Sequence, residues 1–388
     1  MELYIHIPFC VKKCDYCDFL SGPADMETKE KYVNALVNEI EASCIYSSDY
    51  DKVTSVFVGG GTPSILESEQ LKRIFKSVRK TFVIDDRAEI TVEMNPGTVT
   101  KEKFAALKEA GVNRLSIGLQ SANDNELKML GRIHSYKEFT EAYDMAKEAG
   151  FENINVDLIS AVPGQTVESW RDTLNKVAEL KPQHISAYSL IIEEGTPFYD
   201  KYGQDSCSGN GDVVPALPDE QSERIMYEDT EKILKEYGYH RYEISNYAMS
   251  GFECEHNKGY WKCVDYLGIG LGSSSLINGK RFHNTSDMKE YLNYSSRLNE
   301  IRKDEVELTL EEKIEEFMFL GLRMTEGISV TEFEKRFSYK IEEVYKEELT
   351  RLKEEKLIEK NNNMIFLTKR GIDISNQVFV EFMEPKLK

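Results

Sequence analysis

The sequence has no long hydrophobic run and no excess of positive charge. Among its 388 residues, no stretch approaches the ~20 consecutive apolar residues of a membrane-spanning helix. The formal net charge is −19, which argues against broad binding to nucleic-acid phosphates. A strand pattern starts almost at the first residue, so no targeting peptide is expected. These features predict a cytoplasmic chain without a transmembrane segment and without a nucleic-acid partner.

Cysteine is scarce, and its distribution is uneven. Only seven cysteines occur, and their odd number and irregular spacing favour a reducing compartment without disulfides. Three of them, Cys10, Cys14 and Cys17, form a C-x3-C-x2-C run. Three such thiolates can hold three irons of a four-iron cluster and leave the fourth iron open. A zinc site remains an alternative, with His6 or Asp15 completing the usual four ligands.

The first half of the chain alternates short apolar strands with amphipathic helices. The predicted strands are Leu3–Ile7, Ser55–Val58, Ile90–Glu93, Arg114–Ile117, Asn153–Ile159 and His184–Leu190. The predicted helices are Thr28–Ser47, Ser68–Thr81, Lys101–Ala110, stretches on either side of Gly131, and Thr166–Glu179. Six strand–helix units predict an α/β fold with a parallel sheet, closed into a barrel or part-barrel. Cys44, near the end of the first helix, is predicted to be a buried thiol.

In the second half of the chain the regular alternation of strands and helices ends. A loop is predicted over Tyr202–Pro218, rich in Gly, Ser, Asp and Pro, followed by a helix over Asp219–Glu236. Beyond a charged link, three helices and a hairpin form a winged-helix pattern: Glu311–Met324, Thr331–Phe337, Ile341–Glu355, and strands around Asn361-Asn362-Asn363. The third helix is acidic, which favours a structural or partner-facing role. The predicted domains are 1–200, 201–300 and 301–388.

Several polar residues follow the predicted strands, where barrel enzymes place their chemistry. Gly59-Gly60-Gly61-Thr62-Pro63 follows the second strand, and consecutive glycines let backbone atoms approach a ligand closely. The other members of this group are Glu93, Gln120, Arg132 and Asp157. Each has an ordinary structural explanation, such as a tight turn, a helix cap or an ion pair. Together, at successive strand ends beside three cysteines, they predict one site.

This pattern resembles the radical S-adenosylmethionine (SAM) superfamily and, within it, the oxygen-independent coproporphyrinogen oxidase group. The resemblance implies a partial (β/α)6 barrel with a C-terminal winged-helix-like α+β module. It implies that Cys10, Cys14 and Cys17 ligate a [4Fe-4S] cluster, and that a flavodoxin- or ferredoxin-like protein supplies electrons. The residues it implies for the SAM site are Tyr4, Gly60, Gly61, Thr62, Glu93, Gln120, Arg132, Asp157 and Ile191. Tyr16, just before the third cysteine, is added because its planar side chain could stack on a base; the ordinary alternative is a core tyrosine at the root of the loop.

Two departures from the oxidases point to one branch of this group. Phe19 stands where the oxidases have a fourth cysteine, and only nine residues precede Cys10. Both features resemble the HemW branch, the haem chaperones. His256-Asn257-Lys258-Gly259-Tyr260-Trp261 matches the H-N-x-x-Y-W pattern of that branch and implies haem binding by His256, Asn257, Tyr260 and Trp261. Imidazole is a common iron ligand; the ordinary alternative is a backbone-bonded histidine beside two core aromatics.

The resemblance implies a haem chaperone that receives haem from a donor and delivers it to haemoproteins, some of them at the membrane. Peripheral association with the membrane is therefore expected. Reductive cleavage of SAM is the enzymatic activity implied. Two alternatives remain at this point: oxidative decarboxylation of coproporphyrinogen III, which the missing fourth cysteine disfavours, and radical SAM methyl transfer.

Overall fold

Six parallel strands in chain order form the centre of one large sheet. The computed structural model describes residues 1–47, 49–203 and 215–387. The strands are β1 (Glu2–Ile7), β2 (Val53–Gly60), β3 (Ile84–Met94), β4 (Arg114–Gln120), β5 (Asn153–Ser160) and β6 (His184–Ser189). Each pairs with the next in parallel. This is the predicted part-barrel, in which the carboxyl ends of neighbouring strands meet along one edge.

Helices cross between these strands and cover the outer face of the sheet. They are α1 (Met26–Ala42), α2 (Ser68–Thr81), α3 (Lys101–Glu109), α4 (Asp124–Met129), α5 (Tyr136–Glu148) and α6 (Val167–Glu179). All seven residues of β4 are buried, as expected for a parallel strand covered on both faces. The largest hydrophobic cluster lies between this sheet and its helices.

Shorter strands extend the sheet at both ends. The elements are α7 (Pro197–Tyr202), α8 (Glu220–Glu236), β7 (His240–Arg241), β8 (Asn246–Ala248), α9 (Glu255–Trp261), β9 (Tyr266–Ile269), β10 (Ser274–Ile277), β11 (Lys280–Asn284), α10 (Met288–Tyr294), α11 (Leu298–Ile301) and β12 (Arg302–Glu307). The strand order is β12-β11-β10-β9-β1-β2-β3-β4-β5-β6-β8-β7. Because β9 pairs in parallel with β1, the segment containing α9 lies against the barrel.

The C-terminal region has its own hydrophobic cluster. Its elements are α12 (Leu310–Gly321), β13 (Ile328–Ser329), α13 (Val330–Phe337), α14 (Ile341–Val344), α15 (Lys346–Glu354), β14 (Ile358–Asn361), β15 (Met364–Leu367), α16 (Lys369–Asp373) and α17 (Ser375–Val380). The three strands form an antiparallel sheet in the order β13-β15-β14. The predicted hairpin is confirmed, and its turn contains Asn362 with a φ of 51°.

The structure differs from the sequence prediction in a few places. Cys44 is exposed, not buried, because α1 ends at Ala42 and a short 3-10 turn carries Cys44 away from the core. The third C-terminal helix divides at Tyr345, whose buried hydroxyl donates to the Phe382 carbonyl oxygen at 2.8 Å. Most of the predicted loop at Tyr202–Pro218 lies outside the described residues. In the described part of the chain, no helix is long and apolar enough to cross a bilayer.

Candidate cofactor site

The loop between β1 and α1 places three thiols at the mouth of the barrel. The loop is closed at its base, where the Cys10 amide donates to the Gly22 carbonyl oxygen at 3.0 Å. Within it, the Cys17 amide donates to the Cys14 carbonyl oxygen at 3.2 Å. All three cysteines line a cavity of about 410 Å³ at the carboxyl ends of the strands. The cysteine loop and the strand ends therefore face one space.

The glycine turn after β2 is packed against this loop. Gly60 has a φ of 104°, a conformation that favours glycine, and its amide donates to Glu93 Oε2 at 3.0 Å. A Cβ atom on Gly61 would lie 2.7 Å from a backbone oxygen of the cysteine loop. Thr62 Oγ1 donates to Cys10 Sγ at 3.5 Å. The glycines are thus required for the close approach of the two segments.

Arg132 joins the cysteine loop to the ends of β3 and β4. Its Nη1 donates to Cys14 Sγ at 3.6 Å, and its Nη2 donates to Asn95 Oδ1 at 2.7 Å and to the Gly118 carbonyl oxygen at 2.6 Å. Arg132 Nε and Gln120 Oε1 are buried and have no hydrogen-bond partner among the described residues. Such atoms are rare in native proteins, so this wall is suited to a polar ligand.

Two carboxyl groups, those of Glu93 and Asp157, also line the cavity. Burial, and secondarily the nearby Asp157, raises the pKa of Glu93 to about 8. Asp157 accepts hydrogen bonds from Ser116 Oγ and Asn155 Nδ2, both at 2.8 Å. At neutral pH the Glu93 carboxyl therefore keeps a proton, and it can both donate to and accept from a ligand hydroxyl.

The residues present fit a cluster held by three thiolates. Phe19, at the position of the absent fourth cysteine, is 59% exposed and offers no ligand atom. Among the described residues, no three His, Cys, Asp or Glu side chains converge on a single metal ion. Three soft thiols beside unpartnered amide and guanidinium groups match a four-iron cluster whose open iron faces a polar ligand.

The structure brings together nearly all the residues predicted for SAM. Those that line the outer cavity are Tyr16, Gly60, Gly61, Thr62, Glu93, Gln120, Arg132, Asp157 and Ile191. Ile191 is 68% exposed at the rim. Tyr4 instead lines a second, inner cavity, where its hydroxyl donates to His6 Nδ1 at 3.1 Å.

The inner cavity of about 470 Å³ occupies the interior of the barrel. It adjoins the outer cavity, because six residues line both: Phe19, Gly60, Glu93, Ser116, Asp157 and Tyr188. His256, Asn257 and Tyr260 line it. Trp261 does not; it packs against Cys254, Tyr242 and Met324, with the Arg323 guanidinium 4.3 Å from its ring. The H-N-x-x-Y-W motif is therefore divided between the cavity and the contact with the C-terminal region.

His256 is held at both ring nitrogens. Its Nδ1 lies 2.8 Å from Ser55 Oγ, and its Nε2 lies 3.1 Å from the Tyr260 hydroxyl. The ring stacks on Phe57 with centroids 5.1 Å apart and is 1% exposed. Burial, and secondarily the charge of Arg114, lowers the pKa of His256 to about 3. The imidazole is therefore neutral, which is the form that ligates iron.

Some residues at the site were not identified from the sequence. Asn95 bonds both Arg132 and Thr62, and Asn155 bonds Asp157. Arg114 and Tyr188 line the inner cavity. The Asn95-Pro96 pair after a strand and the polar residues alternating along β5 were the available signals. Arg114 gave no signal, because a charged residue at the start of a strand usually marks a solvent-facing end.

Comparison with known families agrees with this geometry. The profile of the radical SAM superfamily matches residues 4–177, and that of the HemN C-terminal domain matches residues 308–374. Three cysteines on the first loop of a part-barrel, the glycine turn and the C-terminal region define the class: a radical SAM protein with a HemN-type C-terminal domain.

Full-length relatives narrow the class to one family. The chain is 37% identical to the heme chaperone HemW of Lactococcus lactis subsp. lactis, covering 98% of this chain and 96% of that protein. It is also 37% identical to the heme chaperone HemW of Bacillus subtilis, covering 98% of each. The chain belongs to the HemW family. The structure of Escherichia coli coproporphyrinogen III oxidase, HemN, superposes with a TM-score of 0.84 at 24% identity, over 98% of this chain and 89% of that chain; this likeness shows the fold.

Proposed function

We propose that this protein is a haem chaperone that binds a [4Fe-4S] cluster, SAM and haem, and delivers haem to haemoproteins. The observation that carries the proposal is that two cavities adjoin in one barrel and share lining residues. The outer cavity is lined by the three cysteines and by Gln120 and Arg132, each of which has a buried polar atom without a hydrogen-bond partner among the described residues. The inner cavity holds His256 and Tyr260 of the motif that this family has. The proposed SAM site and the proposed haem site therefore adjoin.

The residues of the outer cavity have distinct roles in this proposal. Cys10, Cys14 and Cys17 hold the cluster, which supplies an open iron for SAM and an electron for its cleavage. Arg132 and Gln120 offer their unpartnered polar atoms to SAM. The protonated Glu93 carboxyl hydrogen-bonds the ribose hydroxyls, because it can donate and accept at neutral pH.

In the inner cavity, haem ligation by His256 requires a local change. Its Nε2 is hydrogen-bonded to the Tyr260 hydroxyl, and this bond would have to break before Nε2 could ligate a haem iron. Ser55 keeps the Nδ1 side of the ring fixed, as the partners of metal-bound histidines usually do. Asn257 and Tyr260 contribute the adjoining wall, and Trp261 acts through the packing of α9.

The setting of this activity is also part of the proposal. The protein works in the cytoplasm, associates peripherally with the membrane to reach some haem acceptors, and takes electrons from a flavodoxin- or ferredoxin-like protein. Lys12 and Lys13, beside the cysteines on the wall of the outer cavity, give an acidic electron donor a local positive contact on a chain of net charge −19.

An anaerobic experiment on the reconstituted protein tests the chaperone against the oxidase. One sample is titrated with haem; a second receives coproporphyrinogen III, SAM and dithionite. Saturable haem binding without vinyl product is the expected result. Stoichiometric decarboxylation together with weak, non-saturable haem binding would assign the protein to the oxidases. Transfer of bound haem to an apo-haemoprotein, followed by its Soret band, then tests delivery.

A further inference from the structure

Arg114 is a buried cation without a hydrogen bond to any residue that the structure describes. It begins β4, is 1% exposed and lines the inner cavity. Its guanidinium forms no hydrogen bond with any described residue, and its Nε is buried without a partner. The nearest carboxylate oxygen belongs to Glu89, 3.8 Å from Nε, which is beyond hydrogen-bond distance. An arginine with five donors is rarely left in this state.

Glu89 does not accept a hydrogen bond from Arg114. Its carboxylate oxygens instead accept hydrogen bonds at the start of α9. They accept from Cys254 Sγ at 3.3 Å, from the Glu255 amide at 3.2 Å and from the His256 amide at 3.3 Å. Glu89 therefore balances the charge of Arg114 without satisfying its donors.

Several neighbouring polar groups of the cavity wall are paired with one another. Asn155 Oδ1 accepts from Ser186 Oγ at 3.2 Å and lies 2.6 Å from His184 Nδ1, while Asp157 is held by Ser116 and Asn155. Among the described residues that line this cavity, Arg114 is the one lysine or arginine. The Arg114 side chain thus borders a cavity of about 470 Å³ and has no hydrogen bond to any described residue.

We propose that the inner cavity is a binding site for an alkyl carboxylate, which Arg114 anchors through paired N–H···O bonds. A carboxylate matches the planar guanidinium fork and would satisfy its donors. Two sources have this chemistry. One is a propionate group of haem, and this source rests on the proposed function because His256 lines the same cavity. The other is a free small carboxylic acid bound beside SAM.

The test compares ligands that carry a free carboxylate with matched ligands in which the carboxylate is blocked, both for haem and for a small acid. The reconstituted protein and its Arg114→Gln and Arg114→Lys variants are titrated with haem and with haem dimethyl ester, whose carboxylates are blocked. Calorimetry with 3-phenylpropionate, against 3-phenylpropionamide, measures a free carboxylate. Circular dichroism and SAM binding report whether each variant folds. Arg114→Lys keeps the positive charge beside Glu89 but lacks the guanidinium fork. It replaces Arg114→Gln in the titrations if that variant does not fold.

Each outcome decides the proposal. A loss of haem affinity of at least about ten-fold in Arg114→Gln, with the ester bound equally by both proteins, assigns the site to a haem propionate. Binding of 3-phenylpropionate, but not of its amide, by the wild type alone assigns it to a free acid, even if haem fails to bind and the proposed function falls. If neither carboxylate depends on Arg114, the inferred site does not exist.

Discussion

Arg132 donates a hydrogen bond to the sulfur of Cys14, 118 residues earlier in the chain, at 3.6 Å. The same guanidinium holds the carbonyl oxygen of Gly118 at 2.6 Å. One side chain therefore sets the position of the cysteine loop relative to the end of β4. Because its Nε has no partner among the described residues, we expect it to donate to a ligand of the outer cavity.

Replacing this guanidinium is expected to weaken SAM binding. In Arg132→Ala the outer cavity loses a charged donor, and hydrogen bonds to charged groups contribute about 1.5–3 kcal/mol. We expect SAM affinity to fall on the order of ten-fold or more, measured by equilibrium dialysis at matched iron content. Arg79→Ala is the control, since Arg79 donates only to a backbone oxygen at the surface. Equal affinity in both variants would contradict the assignment of Arg132 to the SAM site.

Loss of one thiol is expected to abolish the cluster. Cys14→Ala leaves two thiols in the loop, so we expect the absorbance of the [4Fe-4S] cluster and SAM cleavage both to disappear. Cys44→Ala is the matched control, because Cys44 is exposed and lies outside the cysteine loop. Iron content and methionine release measured on both variants distinguish cluster loss from a general effect of removing a cysteine. Full iron content and cleavage in Cys14→Ala would overturn the cluster assignment.

Haem binding is expected to depend on the imidazole of His256 as an iron ligand, more than on the hydrogen bonds that hold the ring. His256→Ala should shift or remove the Soret band of bound haem while SAM cleavage persists. Ser55→Ala is the control: it removes the partner of Nδ1 but leaves Nε2 beside Tyr260. An equal loss of the Soret band in both variants would mean that the histidine supports the wall and does not ligate iron. An unchanged haem titration in His256→Ala would remove the motif from the haem site.

Stability is expected to depend on pH through Glu39, which joins α1 to the end of β9. It accepts hydrogen bonds from Tyr291 at 2.5 Å, Asn284 at 2.6 Å and the Gly270 amide at 2.8 Å. Burial raises its pKa to about 7. A carboxyl whose folded pKa lies above its unfolded value favours folding fully at low pH, and loses that contribution as pH rises through the folded value.

Glu39→Gln tests this dependence, because glutamine cannot ionise. The variant is less stable at pH 5, since its amide cannot accept all three hydrogen bonds. Its deficit in unfolding free energy should shrink by up to about 1.4 kcal/mol per pH unit between pH 5 and 7. Urea denaturation of the apo-protein at each pH measures the difference, with Glu41→Gln at the surface as the control. A deficit that stays constant with pH would contradict the raised pKa.

The local pattern predicted much of the fold. Alternating strands and helices gave the six parallel strands, and the three-asparagine turn gave the C-terminal hairpin, because these elements depend on short-range periodicity and turn chemistry. The prediction was poorer where burial depends on distant contacts. Cys44 is exposed because α1 ends before it, and the third C-terminal helix divides at Tyr345, whose hydroxyl donates to the distant Phe382 carbonyl oxygen.

The sequence by itself determined the chemistry available: three thiols at fixed spacing, a glycine turn, and a histidine–tyrosine motif. Spacing of a few residues is enough to bring such groups together. Only the tertiary structure decided how they are shared between two cavities. It places His256 in the inner cavity and Trp261 outside it, because one turn of α9 faces the barrel while its end packs on the C-terminal region. It also leaves Arg114 buried without a hydrogen bond to any described residue, since strand pairing fixes where its side chain can reach.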